Sequence, residues 1–373
     1  MFMTGDRDVH RLPRPAPVAV VLVNWNGWRD AVECISSLLG QDYPEFHVFL
    51  VDNDSRDGSI EHIQRWCAAP RAEAGWHSHD GVKHICAAAG VGTGSIPVRL
   101  ADRPGQALPP PPPGCRVTLI RSGGNLGFAG GCNVGMVAAG TGNFEFFWLL
   151  NTDTVVRCDA LDVLIQRAQR EVKIGLVGST IRYYDRPQIV QALGGARMDP
   201  ETVTTHHIGE GTRLVAGQID TGQVERNLFY VMGASMLVSS EFLQEVGLMQ
   251  EDYFLYYEEF DWAMRGRQRR FRLGYAADSH IFHKSGASSS KVMPAFTTGF
   301  YYRNRIRFVR RFFPDKLAVQ QRILLLELVR HTFRGRWVHA RVVAGALWQF
   351  KKIAAQVQPQ TTTAVKRASL LKP

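Results

Sequence analysis

The chain has no closely spaced cysteine pair. Its six cysteines, Cys34, Cys67, Cys86, Cys115, Cys132 and Cys158, are scattered and form no CxxC, which argues against a zinc cluster or a disulfide scaffold. No run of 18 or more apolar residues occurs, so no segment reads as a membrane-spanning helix. The opening MFMTGDRDVH lacks the apolar core of a signal peptide. The cysteines therefore read as reduced, mostly buried thiols of a cytoplasmic protein. There is no internal repeat and no glycine loop of the GK[ST] or GxGxxG type; the VGTGS glycines at 91–95 fit neither and receive no function. Acidic residues are scarce in the last third. Residues 265–373 carry 23 Lys and Arg against 3 Asp and Glu, whereas residues 1–264 carry 21 against 31. The overall +10 hides −10 followed by +20. Such a tail points to a polyanionic partner: an anionic bilayer, a nucleic acid or a phosphorylated substrate.

What remains is ordinary globular material: 373 residues, 45% hydrophobic and 21% charged. That suffices for one large domain or two modest ones. Residues 1–16 read as a flexible leader rich in Arg and Pro. The β-branched run Val18–Val23 reads as a strand buried on both faces. Asp30–Leu39 has helical apolar spacing, Phe46–Val51 is a second strand and Ser59–Trp66 a second helix. This alternation predicts a doubly wound α/β unit. Residues 70–114, with five consecutive prolines at Pro109–Pro113, read as a Gly/Pro-rich loop insertion, part of it polyproline II. Strands are expected at Val117–Ile120, Phe146–Leu150 and Ile174–Val177, with helices after Gly123, over Leu161–Arg170 and from Val238 to Val246. Residues 180–230 read as mixed strands and loops.

In an open parallel sheet, ligands bind at the carboxyl ends of the strands. Three predicted strand ends carry polar clusters: Asn24/Asn26, Asp52/Asn53 and Asn151/Asp153. A fourth end carries Gly127–Gly131. Amides and carboxylates suit a base edge and ribose hydroxyls, and glycines admit the backbone to a phosphate. Any one such cluster is more often a helix cap or turn; four at alternating strand ends are harder to dismiss. Asp153 can hold one divalent cation through oxygen. FLYYEEFD at 254–261 sets three carboxylates in four residues beside apolar groups. Mutual repulsion and partial burial raise at least one pKa there, which suits a general base, while an acidic helix start explains part of the pattern.

Taken together, VNWNG (23–27), VDNDS (51–55), NLGFAGGCN (125–133), LLNTD (149–153), FLYYEEFD (254–261) and HIFHKSG (280–286) resemble the inverting glycosyltransferases of family 2, with the GT-A fold. The nearest subgroup is the rhamnosyltransferase-like enzymes of cell-surface polysaccharide assembly. The resemblance covers about residues 17–290, the expected catalytic domain, and extends weakly into FYYRNRIRFVRR (300–311); a basic helical region is expected over 291–373. It implies that Val23, Asn24 and Asn26 line a nucleotide pocket, that Asp52 and Asn53 meet the base, and that Asn125, Gly127, Phe128 and Asn133 shape the donor wall. Asn151-Thr152-Asp153 stands at the family's Asp-x-Asp metal motif. Asn151 would bond the ribose, and Asp153 with His283 would hold Mn²⁺ or Mg²⁺. Glu259 matches the general-base position, with Glu258, Asp261 and Trp262 on the acceptor side. The donor is then a nucleoside-diphosphate sugar, with dTDP-rhamnose the first candidate. The acceptor is a saccharide or lipid-linked sugar, and no nucleic acid is required.

Two other classes stand beside this reading. A sugar-phosphate nucleotidyltransferase needs a basic glycine loop after the first strand, and Asn24–Trp28 offers none. A non-catalytic protein binding membrane or nucleic acid accounts for the basic tail but leaves Asp153 and the acidic cluster unexplained. In the tail, Tyr302, Ile306, Val309 and Phe313 fall on one helical stripe flanked by arginines. Such a helix can lie on an anionic cytoplasmic leaflet, so peripheral attachment is expected, with Ile323–Val329 and the arginines after it extending the surface.

Overall fold

The structure, a computed structural model, describes residues 15–69, 95–102, 105–140, 142–215, 217, 219–284 and 295–355. Most of the expected leader and all of residues 70–94, with the VGTGS glycines and Cys86, therefore lie outside the described residues. The apolar run Val18–Asn24 (β1) is buried almost throughout. Trp28–Leu39 (α1) follows and turns Ala31, Cys34, Ile35 and Leu38 inward. Next come Phe46–Asp52 (β2), Ser59–Ala68 (α2), Val98–Asp102 (β3), Val117–Arg121 (β4) and Gly127–Ala139 (α3). Phe146–Asn151 (β5), Thr154–Val156 (β6), Ala160–Gln169 (α4), Ile174–Tyr183 (β7), Val190–Leu193 (β8), Gly195–Asp199 (β9) and Thr204–His207 (β10) lead to Thr221–Asn227 (α5). Tyr230–Val231 (β11), Ser235–Ser239 (β12), Ser240–Val246 (α6), Glu258–Gln268 (α7) and Arg272–His283 (β13) complete the α/β part. Helices Ala295–Phe312 (α8), Leu317–Phe333 (α9), Trp337–Trp348 (α10) and Phe350–Ala355 (α11) follow.

Ten strands form one sheet in the order β3-β4-β2-β1-β5-β12-β7-β13-β6, with β8 on β7. Strands β3, β4, β2, β1 and β5 are parallel, and β13 is parallel to β7. β12 runs against both β5 and β7. This is the mostly parallel, Rossmann-like sheet that the alternation predicts. A small antiparallel sheet, β10-β9-β11, lies apart. The register sets Asn24 of β1 opposite Asp52 of β2, and Val23 opposite Asn151 of β5. Three of the polar clusters thus meet at one sheet edge. The glycines of α3 bring that helix onto the sheet: a Cβ on Gly131 or Gly135 would stand 2.6 or 2.4 Å from a methyl of Val23 or Val21.

Three expectations are corrected. The 70–114 segment is not wholly loop, because Val98–Asp102 pairs with β4 as an edge strand. Residues 235–239 form a strand before the helix begins at Ser240, since β12 fills the gap between β5 and β7. The stripe Tyr302, Ile306 and Val309 is buried rather than free to meet a bilayer. Helix α8 has two buried faces. Phe308 and Val309 join the core of the α/β domain, and Tyr302 and Ile306 pack with Leu324, Val343, Ala346 and Phe350 of the later helices. Cys34, Cys67, Cys115 and Cys132 are buried as expected, and burial pushes the Cys34 thiol up to about 12.

Candidate active site

At the end of β1 and β2, Asn24 Nδ2 donates to Asp52 Oδ1 at 3.0 Å and to Ser55 Oγ at 3.2 Å. Ser55 Oγ also accepts the Asn26 N–H, and Asn26 Oδ1 accepts the Arg56 N–H at 2.7 Å. The buried Asn24 Oδ1 has no protein partner. Asn53 bridges to the next strand end. Its Oδ1 accepts the Leu126 N–H at 3.0 Å, and its Nδ2 donates to Asn125 Oδ1 at 3.2 Å and Gly127 O at 3.0 Å. Gly127, at φ +70, could bear no side chain, since a Cβ would fall 2.2 Å from Phe254 O. The Phe128 N–H donates to that same carbonyl at 2.7 Å. The glycine-rich turn is thereby docked on the segment that leads to the acidic cluster.

Across the edge, Asp153 follows β5. The antiparallel pairing of β13 with β6 sets His283 opposite Thr154, and the Lys284 N–H donates to Asp153 O at 2.9 Å. His283 Nε2 comes within 3.2 Å of Asp153 Oδ1. On the other side of the ring, Nδ1 lies 2.9 Å from Gln191 Oε1. An amide oxygen only accepts, so Nδ1 donates to it and Nε2 is the nitrogen turned to the carboxylate. At this distance the nitrogen and the carboxylate oxygen share a proton or flank a cation. One carboxylate and one imidazole suit a divalent ion such as Mn²⁺. Among the described residues, no group of three or more His, Cys, Asp or Glu side chains converges on a metal position, so further ligands would come from phosphate oxygens or water.

The acidic cluster is held by an unusual backbone. Phe254, Tyr256 and Tyr257 all have positive φ, a conformation that costs energy for side-chain-bearing residues and gathers at functional sites. Asn304 of α8 supports it: Nδ2 donates to the carbonyls of Tyr253, Leu255 and Tyr256 at 2.6, 2.8 and 3.0 Å. Glu258 and Glu259 open α7. Glu259 is half-buried, and burial pushes its carboxyl up to about 7, against the opposing pull of its own N–H and that of Gly233. Gly233 belongs to the turn before β12; a Cβ there would stand 2.5 Å from Glu259 Oε1 and 3.2 Å from the Phe128 ring. The next residue, Ala234, accepts the Asn151 N–H at 3.2 Å. The glutamate and the Asp153–His283 pair are therefore joined along one sheet edge.

Some expected site residues lie elsewhere. Asn133 is buried, bonding Met249 in both directions and donating to Glu251 Oε1. Asp261 is fully buried between Arg265 Nε at 2.6 Å and Arg311 Nη1 at 2.7 Å. Trp262 is core, its indole N–H bound to Gly247 O and its ring against Phe242. Being three and four residues beyond Glu258, both turn to the inner face of α7 and are fully buried. Glu258 is also almost fully buried. Its carboxyl is pushed well up, first by burial and then by the charge of Glu259. Gln191, Gly233 and Asn304 were not singled out from the sequence for the roles these contacts give them.

Residues 19–85 match the profile of Glycosyl transferase family 2. The chain is 24% identical over 193 residues to the low-salt glycan biosynthesis hexosyltransferase Agl10 of Haloferax volcanii. That alignment takes in 51% of this chain and 59% of the relative, so the chain spans less than two thirds of the curated relative's length. Among solved structures, the mannosyltransferase PcManGT from Pyrobaculum calidifontis, in complex with GDP-Man and Mn²⁺, superposes with a TM-score of 0.50. Identity there is 13%, with 96% of this chain and 79% of that one covered. These likenesses give the chain the GT-A fold, with residues 19–85 similar to the family 2 glycosyltransferases.

Proposed function

We propose that the protein is a metal-dependent inverting glycosyltransferase that moves a hexose from a nucleoside-diphosphate sugar to a saccharide or lipid-linked acceptor in glycan assembly. The observation that carries this reading is the junction of Glu259 with Asp153 and His283 through Gly233, Ala234 and Asn151. A base and a metal-binding pair at one strand edge are what a single displacement requires. The match of residues 19–85 and the hexosyltransferase relative support the same class.

Asn24, Asn26, Asp52 and Asn53, tied together at the ends of β1 and β2, form the nucleotide end. Val23, Asn125, Gly127 and Phe128 make the adjoining wall, and Asn151 faces the ribose. Asp153 and His283 would hold Mn²⁺ or Mg²⁺, which when bound supplies positive charge at the departing diphosphate. Glu259 takes the acceptor hydroxyl proton as that oxygen attacks the anomeric carbon from the face opposite the leaving group. Its raised pKa matches a base that must be ionised yet able to accept a proton near neutrality. Burial and the charge of Glu259 push the Glu258 carboxyl up, which disfavours a second negative charge beside the base. dTDP-rhamnose is the first donor to test, followed by UDP- and GDP-hexoses.

Among the described residues no helix is long and apolar enough to cross a membrane. With the basic C-terminal third, this fits peripheral attachment to an anionic cytoplasmic leaflet that carries a lipid-linked acceptor. The test of the activity is release of nucleoside diphosphate from a panel of nucleotide sugars with Mn²⁺. Loss of that release in Asp153→Ala and Glu259→Gln supports the reading, and retention in both contradicts it.

A further inference from the structure

Helices α9 and α10 form a hairpin turned at Gly335, where φ is +65. The inner side of the hairpin, with Leu324, Val343 and Ala346, packs on Tyr302 and Ile306 of α8. Its outer side is apolar and open. On α9, Leu325, Leu326, Val329 and Phe333 recur at one-turn spacing, with Leu326 69% and Phe333 87% exposed. On α10, Trp337 and Trp348 lie on one face, 62% and 91% exposed. Large side chains are not left in water in such number on one face of a monomer without a use.

The charge of this face identifies the occupant. Arg322, Arg330, Arg334 and Arg341 are exposed around the apolar residues, and no ion pair engages them among the described residues. Within 317–355 the only carboxylate is Glu327, which faces Tyr302 and His331. A second copy of the chain would bring these arginines against each other with no acid to answer them, which disfavours self-association. A nucleic acid answers the arginines but not the leucines. An anionic bilayer answers both: tryptophan and phenylalanine enter the headgroup boundary while arginines meet lipid phosphate, and two such signals together give stable attachment.

We infer that the outer face of the α9–α10 hairpin is the membrane-contacting surface of this protein, seated on anionic lipid through Phe333, Trp337 and Trp348. The inference rests on the proposed lipid-linked acceptor only for its purpose, not for its geometry. The hairpin packs on α8, and α8 through Asn304 carries the backbone that presents Glu259. A bilayer-seated hairpin therefore lies one helix away from the catalytic segment.

The experiment compares the full-length chain with Trp337→Ser/Trp348→Ser by co-sedimentation with phosphatidylglycerol-containing vesicles and with phosphatidylcholine vesicles, at low and high salt. Both proteins are also read by light scattering for oligomeric state and by nucleoside diphosphate release without vesicles. The expected result is at least tenfold stronger binding of the wild type to anionic vesicles, weakened by salt, and loss of most of it in the double variant. Thermal midpoint and vesicle-free turnover stay unchanged in that variant. Quenching of wild-type tryptophan fluorescence by brominated lipid, reduced in the variant, places the two side chains in the boundary. Equal vesicle binding by the two proteins, no binding by either, or a wild-type dimer that the substitutions split would overturn the inference. Absence of nucleoside diphosphate release by the wild type would strike the glycosyltransferase reading instead, and leaves the vesicle result to stand or fall alone.

Discussion

His283 Nε2 sits 3.2 Å from Asp153 Oδ1, while His283 Nδ1 is held at 2.9 Å by Gln191 Oε1. The amide holds the Nδ1 proton and so turns Nε2 toward the carboxylate. Partners of this kind typically change metal affinity 10–100-fold. Gln191→Met is expected to weaken Mn²⁺ binding by about that factor, read as free Mn²⁺ by electron paramagnetic resonance without any donor present. Asp153→Ala is expected to abolish the binding. Unchanged affinity in Gln191→Met would remove Gln191 from the account.

The half-buried Glu259 carboxyl, raised to about 7, predicts a pH profile. Below that value the base is protonated, so kcat/KM should climb about tenfold per pH unit and level off above it. Glu259→Gln should lose this rising limb and roughly 10²–10⁴-fold in turnover, with donor binding kept. If Glu259→Gln stays active while Glu258→Gln is dead, the base is Glu258.

The same shift has a stability consequence. A carboxyl whose pKa is raised on folding favours the native state while neutral, and that contribution is lost as pH rises from the ordinary carboxylate range through about 7. Glu259→Gln should therefore gain in thermal midpoint over the wild type as pH goes from 5 to 8. A gap that does not change with pH contradicts the assigned titration.

Gly233→Ala would push a methyl group to within 2.5 Å of Glu259 Oε1. The carboxylate must shift, and small misplacements of a catalytic group can cost about 10²-fold. We expect kcat to fall by at least tenfold, with donor KM and thermal midpoint little changed. Full activity would show that Gly233 does not set the position of Glu259.

The doubly wound sheet was legible because fully apolar strands alternate with amphipathic helices, as in Val18–Asn24 followed by Trp28–Leu39. The strand-end clusters were legible for the same reason: the ends of apolar runs are easy to find, and register then brings Asn24, Asp52 and Asn151 together. Side-chain direction within a cluster was not legible. Glu259 and Asp261 are both acidic and only two residues apart, yet α7 turns one toward Gly233 and the other between two arginines. Arg311 comes from α8, far along the chain, and no local pattern announces it. The Tyr302 stripe was found as a helix face, but periodicity does not say whether protein or lipid covers such a face. Here protein does, and the open apolar face lies on the hairpin that follows.

Asp261→Asn separates these roles. It leaves the buried Arg265 and Arg311 without their carboxylate, and breaking a buried pair costs about 3–5 kcal/mol. The variant should show that loss in denaturant unfolding. A stable variant with only a raised acceptor KM would return Asp261 to the acceptor side.

In the proposed reaction, donor turnover is governed by the Asp153–His283 pair. The most direct measurement is nucleoside diphosphate release by the purified full-length chain from a panel of dTDP-, UDP- and GDP-sugars, each with Mn²⁺ and again with excess EDTA. Release from at least one donor with Mn²⁺, and none in EDTA, is expected. Release from no donor, or equal release in EDTA, would contradict this.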